Sequence, residues 1–254
     1  MSYAGAWTKP KGSGYANLSF THLTYTSVFE RNGALNLTGT VEDYTVNAYL
    51  EYGLSQAVTF VGQVPYKMTS FRGHSLNGIG NMELGLKHAL KDSNHIISLQ
   101  WKYRSNNFGG FDLENGLRTG FDNAGLNLAI LHGKGWSKAY TTSEVGFLFM
   151  LGDYSDYIRF STEWGTKINW KGKSYTWIIA VLEGFISLGN RSHDDGLGTQ
   201  TYLYRNNMGW ISPGLKVGHY FNEKWAVNFA GYGAIYALYG GRAPTLTIGL
   251  SYEW

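Results

Sequence analysis

The sequence predicts an all-β protein, a transmembrane up-and-down antiparallel β-barrel of about twelve strands. Three observations carry that expectation. Apolar and polar residues alternate with period two from about Gly14 to the end, and no dozen-residue stretch shows a 3.6-residue stripe. Short polar connections alternate with long glycine- and asparagine-rich ones. The 254 residues include 19 Tyr, 13 Phe, 9 Trp and 34 Gly but only 4 Pro, a mix that suits interfacial aromatics and strand bends.

Composition also excludes. The formal charge of +3, from 21 basic and 18 acidic residues spread along the chain, provides no basic stripe for nucleic acid. The absence of cysteine rules out disulfides, thiolate metal sites and a cysteine nucleophile. The longest apolar run, WIIAVLEGFISL at 177–188, is interrupted by Glu183 and falls short of the ~18 residues of a spanning helix. The opening MSYAGAW has neither a basic nor an apolar signal region, so an exported protein would have to be a mature form.

Taken in order, residues 1–13 are expected to be an N-terminal periplasmic tail or a lumen plug. At ~3.3 Å per residue this segment is long enough to enter the barrel, with Trp7 as a stopper. Residues 14–254 are expected to form the barrel, with strands near 14–28, 44–54, 57–70, 79–90, 95–104, 120–132, 138–151, 157–170, 175–188, 208–221, 225–239 and 244–254. Their length of roughly 9 to 14 residues suits tilted spanning strands. Within 44–54, Val46, Ala48, Leu50, Tyr52 and Leu54 share one face, with Thr45, Asn47, Tyr49, Glu51 and Gly53 on the other. Residues 157–170 repeat the pattern, Ile158, Phe160, Trp164, Ile168 and Trp170 opposing Arg159, Ser161, Glu163, Lys167 and Asn169. Tight turns fall at 54–56, 91–94, 133–137, 171–174 and 222–224, and long loops at 30–43, 105–120 and 189–207, as in an outer-membrane barrel with periplasmic short turns.

A soluble barrel would also alternate, so other features favour the membrane. The polar faces carry mid-strand charges that a lumen can hydrate or pair. Trp136, Trp170, Trp177, Trp225 and Trp254 gather by the short turns or the chain end, as an aromatic girdle would. TIGLSYEW at 247–254 places Gly249, Tyr252 and Trp254 in a pattern resembling the assembly signal of bacterial outer-membrane barrels, with Trp254 where phenylalanine is commoner. The expected surroundings are therefore outer-membrane lipid, the barrel assembly machinery and a small-molecule solute, with the chain a monomer.

Catalytic signals are weak, and neither an enzyme activity nor a cofactor or metal is expected. GIG at 78–80 is followed by Met82, Leu84 and Leu86 alternating with polar residues, which is a strand and not a phosphate loop. RGHSLNG at 72–78 holds His74 and Ser75, but adjacent residues of an extended chain point apart and cannot form a base and nucleophile. His193, Asp194 and Asp195 are read as a hydrated loop cluster. The remaining histidines show no ligand spacing.

The inward faces are more informative. Glu51, Glu83, Glu144, Glu163 and Glu183 are expected to line the pore with Lys67, Lys87, Lys102, Arg104, Arg159, Lys167 and Lys216. Such charges pair across strands as a stabilising ladder and also select solutes. Tyr49, Trp177, Phe185, Tyr232 and Tyr236 are expected on the same side, as a greasy path or as space filling.

NGIGNMELGLKHAL at 77–90 resembles the glycine-rich strand of the outer-membrane family named for the MetA pathway of phenol degradation, with Asn81 and His88 in place of the usual aspartate and tyrosine. AWTKPKGSGY at 6–15, VPY at 64–66 and SPGLKVGHYFNEKWAVNFAGYG at 212–233 agree with it. The resemblance implies an outer-membrane transporter barrel for hydrophobic or aromatic compounds, and supplies no catalytic residues. The leading expectation is a narrow passive conduit. The competing ones are a closed barrel docking another envelope component through its loops, and a membrane-embedded lipid hydrolase.

Overall fold

The computed structural model describes residues 5–91, 95–170, 173–193 and 200–254. The strands are β1 (Gly14–Glu30), β2 (Gly33–Gly53), β3 (Val58–Phe71), β4 (His74–Ile79), β5 (Glu83–Lys91), β6 (His95–Arg104), β7 (Phe111–Asp112), β8 (Leu117–Arg118), β9 (Gly125–Gly135), β10 (Ala139–Met150), β11 (Tyr157–Asn169), β12 (Tyr175–Ser187), β13 (Gly209–Tyr220), β14 (Trp225–Tyr232), β15 (Tyr236–Leu238) and β16 (Thr245–Glu253). Each long strand pairs antiparallel with its neighbour in sequence. The ladder runs from β12 back to β1, on through β16, β14 and β13, and closes where β13 pairs β12. Closure leaves no edge, which is what a sheet in hydrocarbon requires.

The period-two pattern becomes a two-sided wall. On β6 every second residue is buried: Ile96, Ser98, Gln100, Lys102 and Arg104 point inward, whereas His95, Ile97, Leu99, Trp101 and Tyr103 point out. Around the outside, Leu128, Ile130, Val145, Trp164, Leu215 and Ile248 are exposed large apolar side chains, the reverse of a soluble barrel. At the seam, the Gly14 N–H donates to Trp254 O at 3.0 Å and the Trp254 N–H to Gly14 O at 3.1 Å. A Cβ on Gly14 would lie 2.1 Å from the Trp254 ring, so glycine is what lets the last side chain cover the seam.

Several expected boundaries shift. Residues 30–43, expected as a loop, mostly belong to β2, which pairs with an extended β1 through a two-residue turn at Arg31 and Asn32. The pattern there fades because a hairpin standing clear of lipid needs no apolar outer face. The strand expected at 79–90 is β5, preceded by the separate strand β4, which folds back on β3 through Arg72 (φ 53°) and Gly73 (φ 83°). Two consecutive positive φ values match the twist of a tight hairpin. The strand expected at 225–239 is broken: Tyr232 lines the lumen, but after the irregular 233–235 stretch Tyr236 pairs with Ile211 and is exposed. Tyr236 is therefore not a lumen aromatic, because the break shifts the alternation by one residue.

Candidate functional site

The lumen is closed in at both ends by chain from outside the wall. At the short-turn end, residues 5–13 run into the barrel. Ala6 is fully buried; its N–H donates to Thr142 Oγ1 at 3.3 Å and its carbonyl accepts from Ser98 Oγ at 2.5 Å. The Lys9 N–H donates to Thr59 Oγ1 at 2.7 Å, and its ammonium lies 4.9 Å over the Tyr15 ring. Burial pulls the Lys9 ammonium below the ordinary lysine range, against the opposing pull of Glu51 and Glu253. Trp7 packs edge-on to Tyr140 at 6.0 Å.

At the long-loop end, segments 105–124 and 200–208 fold into the mouth. Leu117, Tyr202 and Leu203 bury themselves among Tyr25, Val28, Val41 and Phe71 of β1, β2 and β3. Phe121 packs with Leu148, Met150, Tyr154 and Tyr157, against Phe185, Tyr204 and Met208. Tyr25 Oη donates to Thr201 O at 2.7 Å, and Thr201 Oγ1 bonds Gly116 O, tying the two loop segments to the wall and to each other. Burial raises the Tyr204 hydroxyl above its ordinary value, partly offset by Lys67.

Between these caps lie the expected lumen charges, all twelve on inward faces. Near the tail, Lys87 Nζ sits 2.8 Å from Glu51 Oε1 and donates to Gly5 O at 2.7 Å, while Tyr49 Oη donates to the same Glu51 oxygen at 2.7 Å. Further along, Lys102 lies 2.6 Å from Glu83 Oε2 and Arg159 2.6 Å from Glu83 Oε1. Glu163 accepts from Lys216 at 2.6 Å and from Tyr140 Oη at 3.0 Å. Lys67 pairs at 2.7 Å with Asp43, a residue that fell in the expected loop although it shares a face with Thr45. Lys167 stands apart near the turns, 3.9 Å over the Tyr175 ring. Arg104 bonds Asn81 Oδ1 at 2.9 Å and lies 4.5 Å over Phe121. Glu144 and Glu183 have no ion pair or hydrogen bond among the described residues.

Among the described residues, cavities lie in the lumen at three places. One of about 440 Å³ lies under the loop cap, lined by Glu83, Arg104, Phe121, Glu144, Arg159 and Trp210 among others. A second, about 380 Å³, lies beside Tyr232 and Ala237. A third, about 440 Å³, runs towards the short turns past Tyr15, Asn47 and Lys216. Glu183 lines all three.

Other expected residues fall elsewhere. Trp177 is 3% exposed and packs on Tyr140 at 5.1 Å, so it is a lumen aromatic and not part of a girdle, whereas Trp136, Trp170, Trp225 and Trp254 are exposed. His74 and Ser75 are exposed on β4, paired with Phe71 and Ser70, and no hydrogen bond joins them. Asp194 and Asp195 lie outside the described residues. Gly249 faces inward between Asn17 and Ser19, and Tyr252 lies between Trp225, tilted at 4.6 Å, and Trp254, stacked at 5.8 Å.

No family model matches the chain, and no curated protein matches its sequence. Solved structures do resemble it in fold. An outer membrane channel from Pseudomonas putida F1 superposes with a TM-score of 0.73 at 12% identity, covering 100% of both chains. The β domain of the Bordetella autotransporter BrkA follows at 0.53 and 10% identity, over 96% of this chain and 99% of that one. The translocator domain of the Neisseria meningitidis autotransporter NalP gives 0.51 at 11% identity, over 97% and 90%. The chain thus has the fold of a twelve-stranded transmembrane β-barrel of the outer-membrane type.

Proposed function

We propose that the protein is a monomeric channel of the bacterial outer membrane, passing small solutes with apolar or aromatic bodies, and that it belongs with the family named for the MetA pathway of phenol degradation. The observation that carries the reading is the lumen itself, where three cavities that share Glu183 in their walls lie between the two caps and present both rings and charges. Twelve strands lie between the roughly eight whose interior side chains can fill and the roughly 16 to 18 of wide aqueous porins, which suits a narrow passage. The channel with the similar fold supports the same reading. Gly249, Tyr252 and Trp254 serve as the mark read by the barrel assembly machinery. The test is conductance of purified protein in planar bilayers: discrete openings in KCl are expected, altered by Arg159→Ala. A silent barrel, impermeable to small solutes in liposomes, would overturn the proposal.

A further inference from the structure

We infer that the cavity under the loop cap is a binding station for a zwitterion with an aromatic or apolar body, of which an aromatic α-amino acid is the simplest example. This rests on the channel reading and names its solute. The cavity's volume of about 440 Å³ lies within the ~300–1,000 Å³ of small-molecule sites.

Its charges divide into matched and unmatched ones. Lys67 is held by Asp43, and Lys102 and Arg159 share Glu83. Arg104 is only 7% exposed and makes no ion pair among the described residues: Glu83, its cross-strand neighbour and nearest opposing charge, is already bonded by Lys102 and Arg159, and its direct contacts are the neutral Asn81 amide, the Met150 sulfur at 3.9 Å and the Phe121 face. A buried guanidinium held this way has lost hydration that an anionic group would restore. Glu144 on β10 and Glu183 on β12 are the carboxylates of the same cavity that make no ion pair among the described residues, two and four strands around the wall from Arg104 on β6. Phe121, Phe185, Tyr204 and Trp210 line it alongside.

A neutral aromatic leaves both poles unmet. A carboxylate alone answers Arg104 and faces Glu144 and Glu183, and an ammonium alone does the reverse. A solute carrying both groups on an apolar body meets the two poles and the rings together.

The test compares phenylalanine, 3-phenylpropionate, 2-phenylethylammonium and 2-phenylethanol by calorimetry on detergent-solubilised protein and by uptake into proteoliposomes. Phenylalanine is expected to bind and enter best. Glu144→Gln with Glu183→Gln should weaken phenylalanine and phenylethylammonium about tenfold, which is ~1.4 kcal/mol, and spare phenylpropionate. Asn81→Asp, which gives Arg104 a permanent carboxylate at the cost of the two Nδ2 bonds to Ser105 O and Phe121 O, should weaken phenylalanine and phenylpropionate and spare phenylethylammonium, whereas loss of the two bonds alone is set apart by its equal effect on all ligands. Equal affinities for all four, or affinities unchanged in both variants, would overturn the inference while KCl conductance persists. Loss of KCl conductance in the unaltered protein strikes instead at the channel reading, and the calorimetric ranking still decides the site.

Discussion

The Arg159 guanidinium on β11 lies 2.6 Å from the Glu83 carboxylate on β5, with β6, β9 and β10 between them in the wall, so the pair forms a chord across the lumen. Neighbouring strands pair through the backbone, but only side chains of this length join distant staves. Lys102 shares the same carboxylate at 2.6 Å and would keep Glu83 partnered if Arg159 were removed. Arg159→Ala should therefore leave the barrel folded and raise its single-channel conductance. Glu83→Gln leaves two cations facing each other; because the Arg159 side chain is 33% exposed, the ~3–5 kcal/mol typical of a broken buried pair is reduced by solvent to about 1–3. Urea titration of the folded barrel reads that loss.

The tail gives a second test. The strand residues that hold it, Ser98, Thr142, Thr59 and Lys87, bond its backbone, and water can replace each of those contacts when the tail leaves. Deleting residues 2–9 should preserve the folded barrel, read by its heat-dependent shift in gel mobility, and increase conductance. Unchanged conductance would show that the tail does not limit passage.

At Gly85 the wall strands approach closely. A Cβ there would lie 2.0 Å from the Trp101 carbonyl oxygen and 2.7 Å from Lys102 Cα, backbone atoms that cannot turn aside. Gly85→Ala should cost about 1–3 kcal/mol by forcing β5 from β6. Gly231→Ala, whose added carbon would sit 3.5 Å from the end of Leu246, is the control and should unfold with the parent.

These cases show what the sequence made legible. Strand parity placed Glu51, Glu83, Arg159 and Lys216 inside, because a period of two leaves a side chain only two directions. Asp43 escaped because the apolar alternation fades on the N-terminal side of Tyr44, although Asp43 still pairs with Leu23 of β1 and Thr69 of β3 in the wall. Phe121 and Arg118, buried in the cap, and the half-buried Tyr204 come from loops whose inward course depends on packing against β10 and β11 as well as β1, β2 and β3, and no local pattern encodes that. Asn81 stood out only as a departure from a motif. Its role is geometric: Nδ2 donates to Ser105 O at 3.0 Å and Phe121 O at 2.8 Å, while Oδ1 accepts from Phe121 N at 2.7 Å and from Arg104.

The cap should respond to its hinge contacts. Tyr25 Oη holds Thr201 O, and Tyr25→Phe removes that bond without altering the ring among Val28, Val41 and Leu203. A loss of about 1 kcal/mol is expected. Its readout is more frequent opening in single-channel records with the open-state conductance unchanged, since the wall and its charges stay in place.

The lipid face is tested most directly by charge. Val145 points outward midway along β10 and is 61% exposed, while its neighbour Glu144 points into the lumen cavity. If hydrocarbon surrounds the barrel, Val145→Arg should cost about 2–4 kcal/mol, the penalty for an arginine near the bilayer midplane, when folding is measured into lipid vesicles. Glu144→Arg, one residue away but on the aqueous side, should change conductance and solute preference with far less effect on folding. A soluble barrel would show the opposite order: arginine at 145 would be solvated outside, and arginine at 144 would be buried.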